Sequence, residues 1–115
     1  MFARHPLVTV TTFVDPFDED DVGKVLHLFF NHVKFGRRLH VIDLDQLWSV
    51  SSFVLRALAL CVRTARQYDG DVHVVASKPR IARGLELAGF NDLVDVFPDT
   101  FEAVIAFRQQ PRKVG

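Results

Sequence analysis

The chain has 115 residues, of which 49% are apolar, so it is the size of one domain and can bury a substantial core. Its 14 basic and 14 acidic residues cancel, so no net field draws it to nucleic acid or to an anionic membrane. The longest mainly apolar run, Val54 to Val62, is interrupted by Arg56 and is too short to span a bilayer. The single cysteine, Cys61, excludes an intrachain disulfide and argues against a thiolate metal site. No signal peptide is visible, and these features predict a soluble, cytoplasmic protein that does not insert into membranes.

The first third of the chain has a strand pattern followed by a helix pattern. β-branched residues from Leu7 to Phe13 predict a strand, which Asp15-Pro16 ends. Acidic residues then crowd the start of a predicted helix, basic residues gather near its end, and Gly36 is its expected stop. The apolar stripe of this helix has three-four spacing and comprises Val22, Val25, Leu26, Phe29, Phe30 and Val33.

The middle of the chain repeats the alternation. A short apolar strand is predicted from Leu39 to Leu44, and a loop from Asp45 to Val50 leads to a helix from Ser51 to Tyr68. After Gly70, the near-continuous apolar run from Val72 to Ala76 suits a strand in the middle of a sheet that is covered on both faces.

The last third adds two more helices and one strand. Ser77 is predicted to cap a third helix that stops at Gly89, and Leu93 to Phe97 is predicted to be a fourth strand. Asp99 and Glu102 resemble a capping box that opens a last helix through Arg108. Four β-α units predict an α/β fold, with a mostly parallel, mixed sheet of four or five strands and about four helices.

Catalytic and metal-binding patterns are scarce. The sequence contains no G-x-S-x-G, P-loop or G-x-G-x-x-G motif, so we expect no enzyme activity and no cofactor. His40 and His73, each near a strand start, are predicted to lie at the edge of the sheet rather than to bind a metal. Cys61 is predicted to be a buried structural thiol. Trp48 is either a plug in the core or an exposed anchor for a partner.

The segment from Asp43 to Leu55 carries the strongest functional pattern. Ser49, Ser51 and Ser52 crowd the start of the second helix, although one serine is enough for an N-cap. The free N–H groups and the dipole at a helix N-terminus stabilise added negative charge. A phosphorylation switch at this turn is therefore physically reasonable.

The same segment resembles the STAS domain, the fold of bacterial anti-sigma factor antagonists. Asp43-Leu44 matches the strand end of that family, and Leu85 to Phe90 and Thr100 to Val104 match its third and last helices. The resemblance covers roughly residues 7 to 108. Counting on without a gap places five residues on the family's Asp, phosphorylated Ser/Thr, Ser, Gly and Leu: Ser51, Ser52, Phe53, Val54 and Leu55.

The resemblance implies partner switching that regulates transcription, in which an anti-sigma factor with serine kinase activity is bound and is released after phosphorylation at Ser52 or Ser51. The implied domain spans residues 1–108, with a disordered tail from 109 to 115, and a homodimer is left open. Because Ser51 and Val54 replace the family's Asp and Gly, a binding-only member with a constitutive Phe53 contact remains an alternative. The implied partner-binding residues are Trp48, Ser49, Ser51, Ser52, Phe53, Val54 and Arg56.

Two further alternatives remain at this point. A receiver domain is suggested by Asp15 and Asp43 at strand ends and by Lys78-Pro79, but receivers have five β-α units, and here Lys78 comes one unit too early. A soluble STAS subunit of a lipid- or anion-transport complex is also compatible with the pattern.

Overall fold

The computed structural model describes residues 7–109, which contain four strands, four α-helices and one 3-10 turn. The α/β prediction is confirmed. The Phe90–Asp92 turn lies between the third helix and the fourth strand. In chain order the strands and helices are β1 Val8–Val14, α1 Glu19–Lys34, β2 Leu39–Gln46, α2 Ser52–Gln67, β3 Asp71–Val75, α3 Pro79–Leu87, β4 Asp95–Phe97 and α4 Thr100–Gln109.

The four strands form one sheet in the order β1-β2-β3-β4, and each neighbouring pair is parallel. Within the described residues the sheet is therefore purely parallel and has the smaller of the two predicted strand numbers. Gly70, just before β3, lies close to the backbone just before β2: a Cβ at that position would lie 2.1 Å from the Arg38 carbonyl oxygen, so only glycine fits there. Within residues 7–109, no helix has both the length and the apolar composition needed to cross a membrane.

The sheet divides the apolar core into two parts, because successive strand residues point to opposite faces. On one face Ile42 and Leu44 pack with α1, α2 and α3 in the larger cluster, which includes Leu58. On the other face Val41 and Val75 pack with Ala103 and Phe107 of α4. Three helices therefore cover one face and one helix covers the other.

The helix ends predicted from the sequence are confirmed in part. Asp18 and Asp21 form a capping box at the start of α1, and Gly36, with φ of +93°, follows its end. The predicted cap of α3 is wrong: Lys78 occupies the N-cap position without a side-chain hydrogen bond. The Ser77 N–H instead donates to Asp45 Oδ1 at 2.7 Å, which holds Ser77 outside the helix.

Smaller differences concern element lengths. β2 continues through Asp45 and Gln46, and β4 is shorter than predicted because the Phe90–Asp92 turn takes up part of the connection.

Phe30 is 42% exposed rather than buried, and its ring makes an edge contact with Tyr68, with ring centroids 6.1 Å apart. The tail predicted from residue 109 onward lies outside the described residues, except for Gln109, which ends α4.

The edge positions predicted for His40 and His73 are wrong, because both side chains are fully buried, on opposite faces of the sheet. His40 Nε2–H donates to the Arg37 carbonyl at 2.6 Å, and the imidazole packs on Phe29 with ring centroids 4.2 Å apart. His73 Nδ1–H donates to the Ala103 carbonyl at 2.8 Å. The two histidines therefore attach the sheet to the chain segments on either side of it.

His40 is expected to make folding sensitive to acid. Desolvation by burial lowers the pKa of His40, although its hydrogen bond to Arg37 opposes the shift. In the unfolded chain the pKa returns to about 6.5, so below that pH the unfolded state binds a proton that the folded state does not. The free energy of unfolding is then expected to fall by up to about 1.4 kcal/mol per pH unit, until the lowered pKa of the folded state is reached.

Urea unfolding between about pH 7.5 and pH 5 measures this slope, since this pH range brackets the ordinary histidine pKa. His40→Phe keeps an aromatic ring against Phe29 but cannot bind a proton, so it is expected to have a shallower slope whatever its stability at neutral pH. Equal slopes for the two proteins would contradict the role given to His40.

Candidate partner-binding site

The turn between β2 and α2 is fixed by hydrogen bonds on both sides and carries an exposed surface. Leu47 is fully buried, whereas the neighbouring Trp48 is 77% exposed. The Trp48 N–H donates to the carboxylate of Asp15, which follows β1. From the other side, Lys78 Nζ donates to the Leu47 carbonyl at 3.5 Å. The turn is therefore attached to the chain after β1 and to the chain after β3, and the anchor interpretation of Trp48 is favoured over the core plug.

Ser51 and Ser52 have different roles at the start of α2. Ser51 is the N-cap: its Oγ accepts from the Val54 N–H at 3.2 Å and its carbonyl accepts from the Leu55 N–H at 3.0 Å. Ser52 is the first helical residue and its side chain is exposed. Helix geometry leaves the N–H groups of Ser52 and Phe53 without intrahelical acceptors. Of these two serines, Ser52 is therefore the one whose hydroxyl faces solvent, and it lies next to free N–H donors.

Replacing these two serines one at a time separates the cap from the exposed hydroxyl. Ser51→Ala removes the cap and is expected to lower the free energy of unfolding by about 1 kcal/mol. Ser52→Ala removes an exposed hydroxyl with no described partner and is expected to change it by less than about 0.5 kcal/mol. Urea unfolding of both variants measures the difference. If Ser52→Ala is the more destabilising of the two, the cap assignment is wrong.

Five of the seven predicted partner-binding residues are exposed on this turn or on the first two turns of α2: Trp48, Ser49, Ser52, Phe53 and Arg56. Ser51 is half-buried beneath them. Val54 is a correction: it is 1% exposed and packs in the core, so its side chain cannot contact a partner. Val54 begins the inward stripe of α2, and the same three-four spacing in the sequence shows that it faces the sheet.

Sequence reasoning missed several residues that support the turn. Val50 lies against α3, where a Cβ at Gly84 would be 3.1 Å from Val50 Cγ2, so the absence of a side chain at Gly84 allows this packing. Asp45 is a second support, because its Oδ1 accepts from the Ser77 N–H, and its own N–H donates to Asp43 Oδ1 at 2.8 Å. Aspartates at the ends of strands are the sequence signal that could have indicated this role.

Asp15 and Asp45 thus hold the segments after β2 and β3 in place, whereas Asp43 bonds within β2. Asp15, Asp43 and Asp45 each accept a backbone N–H. Across residues 7–109 no group of three or more His, Cys, Asp or Glu side chains is placed to hold a metal ion. Hydrogen bonding to backbone N–H groups therefore accounts for each of these three carboxylates.

The charge of α2 is strongly positive. The helix carries Arg56, Arg63 and Arg66 and no acidic residue. Among the described residues, Arg66 is the one arginine of α2 in a salt bridge, with Asp71 at 3.3 Å. Arg56 lies one helical turn beyond Ser52 on the same side of the helix, within reach of a group added to that hydroxyl.

Cys61 lies on the inward face of α2, as predicted for a structural thiol. It is unpaired and fully buried. Burial raises the pKa of the Cys61 thiol to about 12. A thiol with so high a pKa carries almost no thiolate at neutral pH and is inert as a nucleophile.

The family model of the STAS domain matches residues 1–103 of this chain. The chain belongs to the STAS family. This confirms the resemblance drawn from the Asp43 to Leu55 segment. It also excludes the receiver-domain alternative, because receivers are a different family with five β-α units.

Solved structures show the same fold. This STAS domain aligns with an anti-sigma factor antagonist from Mycobacterium paratuberculosis at a TM-score of 0.77 and 23% identity, over 93% of this chain and 91% of the other. It aligns with an anti-sigma-factor antagonist (STAS) domain protein from Planctomyces limnophilus at a TM-score of 0.74 and 17% identity, over 93% and 96%. No curated protein matches the chain. At these identities the likeness establishes the fold, and the function rests on this chain's own residues.

Proposed function

We propose that this STAS domain is an anti-sigma factor antagonist that acts in the cytoplasm by partner switching. Its partner is an anti-sigma factor with serine kinase activity, which it binds through the exposed surface formed by Trp48, Ser49, Ser52, Phe53 and Arg56. The observation that carries the proposal is the exposed Ser52 hydroxyl at the first position of α2, between two exposed aromatic side chains, in the frame of this family.

The chemistry of this surface suits a protein partner. Trp48 supplies a large apolar area on a turn that is already held rigid, so little conformational entropy is lost when it is bound. Phe53 extends the apolar area, and Arg56 places a cation at its border. An aromatic anchor with a charged border is the composition of binding hot spots.

Phosphorylation of Ser52 would act on this surface directly. A phosphoryl group adds a charge of about −1.5 to −2 at neutral pH. The free N–H groups of Ser52 and Phe53 and the nearby Arg56 would stabilise that charge in the unbound protein. In the complex the same charge would have to be desolvated beside Trp48 and Phe53, which is costly. Phosphorylation therefore favours the free state and releases the partner.

Capture of the partner tests the proposal. The purified chain is immobilised and incubated with lysate of the cell that makes it, with and without ATP and Mg²⁺, and bound proteins and phosphosites are identified by mass spectrometry. We expect an ATP-binding serine kinase to be retained, and phosphate to appear on Ser52. Ser52→Asp mimics the charge and should retain the kinase at least about tenfold less well, since a buried unpaired charge costs more than 1.4 kcal/mol.

Ser52→Asn is the matched control, because asparagine has nearly the shape of aspartate without its charge. If no kinase is retained, or if Ser52→Asp and Ser52→Asn bind it equally well, the switching proposal fails. Retention without phosphorylation would support a binding-only member with a constitutive Phe53 contact. Recovery of a transport ATPase instead would support the alternative of a STAS subunit in a lipid- or anion-transport complex.

A further inference from the structure

One flank of α1, next to Tyr68 at the end of α2, carries an exposed stripe that no function described above uses. Its members recur at spacings of four, four, three and four residues, which places them on one side of the helix. All of them are exposed. They are Glu19, Gly23, His27, Phe30 and Lys34.

Gly23 and Phe30 are unusual residues for a solvated helix surface. Glycine inside a helix is unfavourable compared with alanine, and a Cβ at Gly23 would meet nothing within 4 Å, so packing within the chain does not require it. The ring of Phe30 makes an edge contact with Tyr68, yet Phe30 remains 42% exposed, so this contact covers only part of the ring. Acidic starts and basic ends are common in helices, but the helix dipole explains neither the glycine nor the phenylalanine.

The stripe is complementary to itself when two helices run antiparallel. A two-fold axis between Leu26 and His27 would place Glu19 of each copy opposite Lys34 of the other, and Gly23 opposite Phe30. Opposite charges would then meet at both ends, and the missing side chain would leave room for the partner's aromatic ring. A two-fold interface uses the same surface patch of both copies in this way.

We propose that this STAS domain forms a homodimer through antiparallel pairing of α1, with Phe30 of each copy packed over Gly23 of the other. The helix has 16 residues and is about 24 Å long, so the interface is at the small end of the known range. The dimer is therefore weak and depends on concentration. The stripe shares no residue with the Trp48 surface, so the proposed dimer does not depend on the proposed partner or on phosphorylation.

Sedimentation equilibrium from about 10 µM to about 1 mM tests the dimer, because we expect an interface of this size to have a dissociation constant within this range. The mass is expected to rise from monomer to dimer across the range. Gly23→Gln adds a side chain where Phe30 of the other copy would pack, and it removes an unfavourable glycine from the helix. It should therefore weaken the dimer without unfolding the chain. Lys34→Glu creates two repulsive pairs and should raise the dissociation constant about tenfold.

Two further variants distinguish specific pairing from a general effect of charge. Glu19→Lys combined with Lys34→Glu restores opposite charges and should recover dimerisation. Arg83→Glu on α3 makes the same change in charge outside the stripe and should leave the dimer unchanged. Circular dichroism of each variant verifies that it is folded.

Cross-linking locates the axis. His27→Cys brings two thiols together across the two-fold axis, so it is expected to form an intermolecular disulfide rapidly under mild oxidation. Arg83→Cys is the control, and the native Cys61 is buried and does not compete. A constant monomer mass, with His27→Cys oxidising no faster than Arg83→Cys, would overturn the proposal. So would a dimer that Gly23→Gln and Lys34→Glu leave intact.

Discussion

Leu47→Ala is expected to lower the free energy of unfolding by about 2–5 kcal/mol, the range seen when a fully buried leucine is truncated. Leu47 is 0% exposed although it lies in a turn, and it packs in the larger core cluster. The cavity left behind cannot close easily, because the turn is attached to Asp15 and Lys78 on its two sides. The surroundings therefore cannot relax into the lost volume, and we expect a value in the upper half of that range.

Urea unfolding followed by far-ultraviolet circular dichroism measures this effect without relying on the fluorescence of the exposed Trp48. Leu87→Ala is the matched control, since Leu87 is 73% exposed on α3 and loses the same atoms. It should change the free energy of unfolding by less than about 0.5 kcal/mol. A loss for Leu47→Ala no larger than that of Leu87→Ala would contradict the view that Leu47 anchors the turn.

Leu47 also illustrates what the sequence could and could not predict. Periodicity and turn residues predicted all four β-α units, and the fold class followed from their alternation. Periodicity does not apply to a turn of a few residues, so nothing in the pattern marked Leu47 as buried and Trp48 as exposed. That distinction depends on the hydrogen bond that Trp48 N–H donates to Asp15 and the one that Lys78 donates to the Leu47 carbonyl, and both partners are distant in sequence from the turn.

The wrong predictions have similar causes. The sequence pattern of a strand does not show whether the neighbouring helices cover the first residues of that strand. His40 and His73 were therefore predicted to lie at the edge of the sheet, although both are buried. Ser77 has the right residue type for a cap, but its N–H donates to Asp45 of β2, which holds Ser77 outside the helix. Phe30 belongs to the apolar stripe by spacing, yet it faces Tyr68 and solvent.

Most of the predicted partner-binding residues are exposed, whereas sequence reasoning missed the residues that support the turn. The gapless count from Asp43 placed Ser52 on the family's phosphorylated Ser/Thr. In the structure Ser52 is the exposed first residue of α2, and Ser51 is the cap. Val54 was the exception, because a single alignment position cannot tell which side of the helix a residue occupies. The helical spacing of its neighbours carries that information, and it places Val54 in the core.

Trp48→Ala is expected to weaken binding of the serine kinase partner by about 2 kcal/mol or more, which corresponds to about 30-fold or more in the dissociation constant. The indole is 77% exposed and its backbone is held by Asp15, so binding would bury a large, pre-organised apolar surface. Because the side chain has few contacts within the chain to lose, the free energy of unfolding should change by less than about 0.5 kcal/mol. Isothermal titration calorimetry with the captured partner measures the first effect, and urea unfolding measures the second.

Phe35→Ala gives this prediction its control, because Phe35 is a comparably large aromatic residue that is 80% exposed, at the end of α1. It lies near the amino-terminal ends of the strands, whereas Trp48 lies beyond their carboxyl-terminal ends, so a partner seated on Trp48 does not reach it. If both variants lose affinity equally, exposed apolar area in general drives the association and the turn has no special role. If only Trp48→Ala loses affinity and the folded state is unchanged, the β2-α2 turn is the binding site, and Ser52 lies where a phosphoryl group would act on the contact itself.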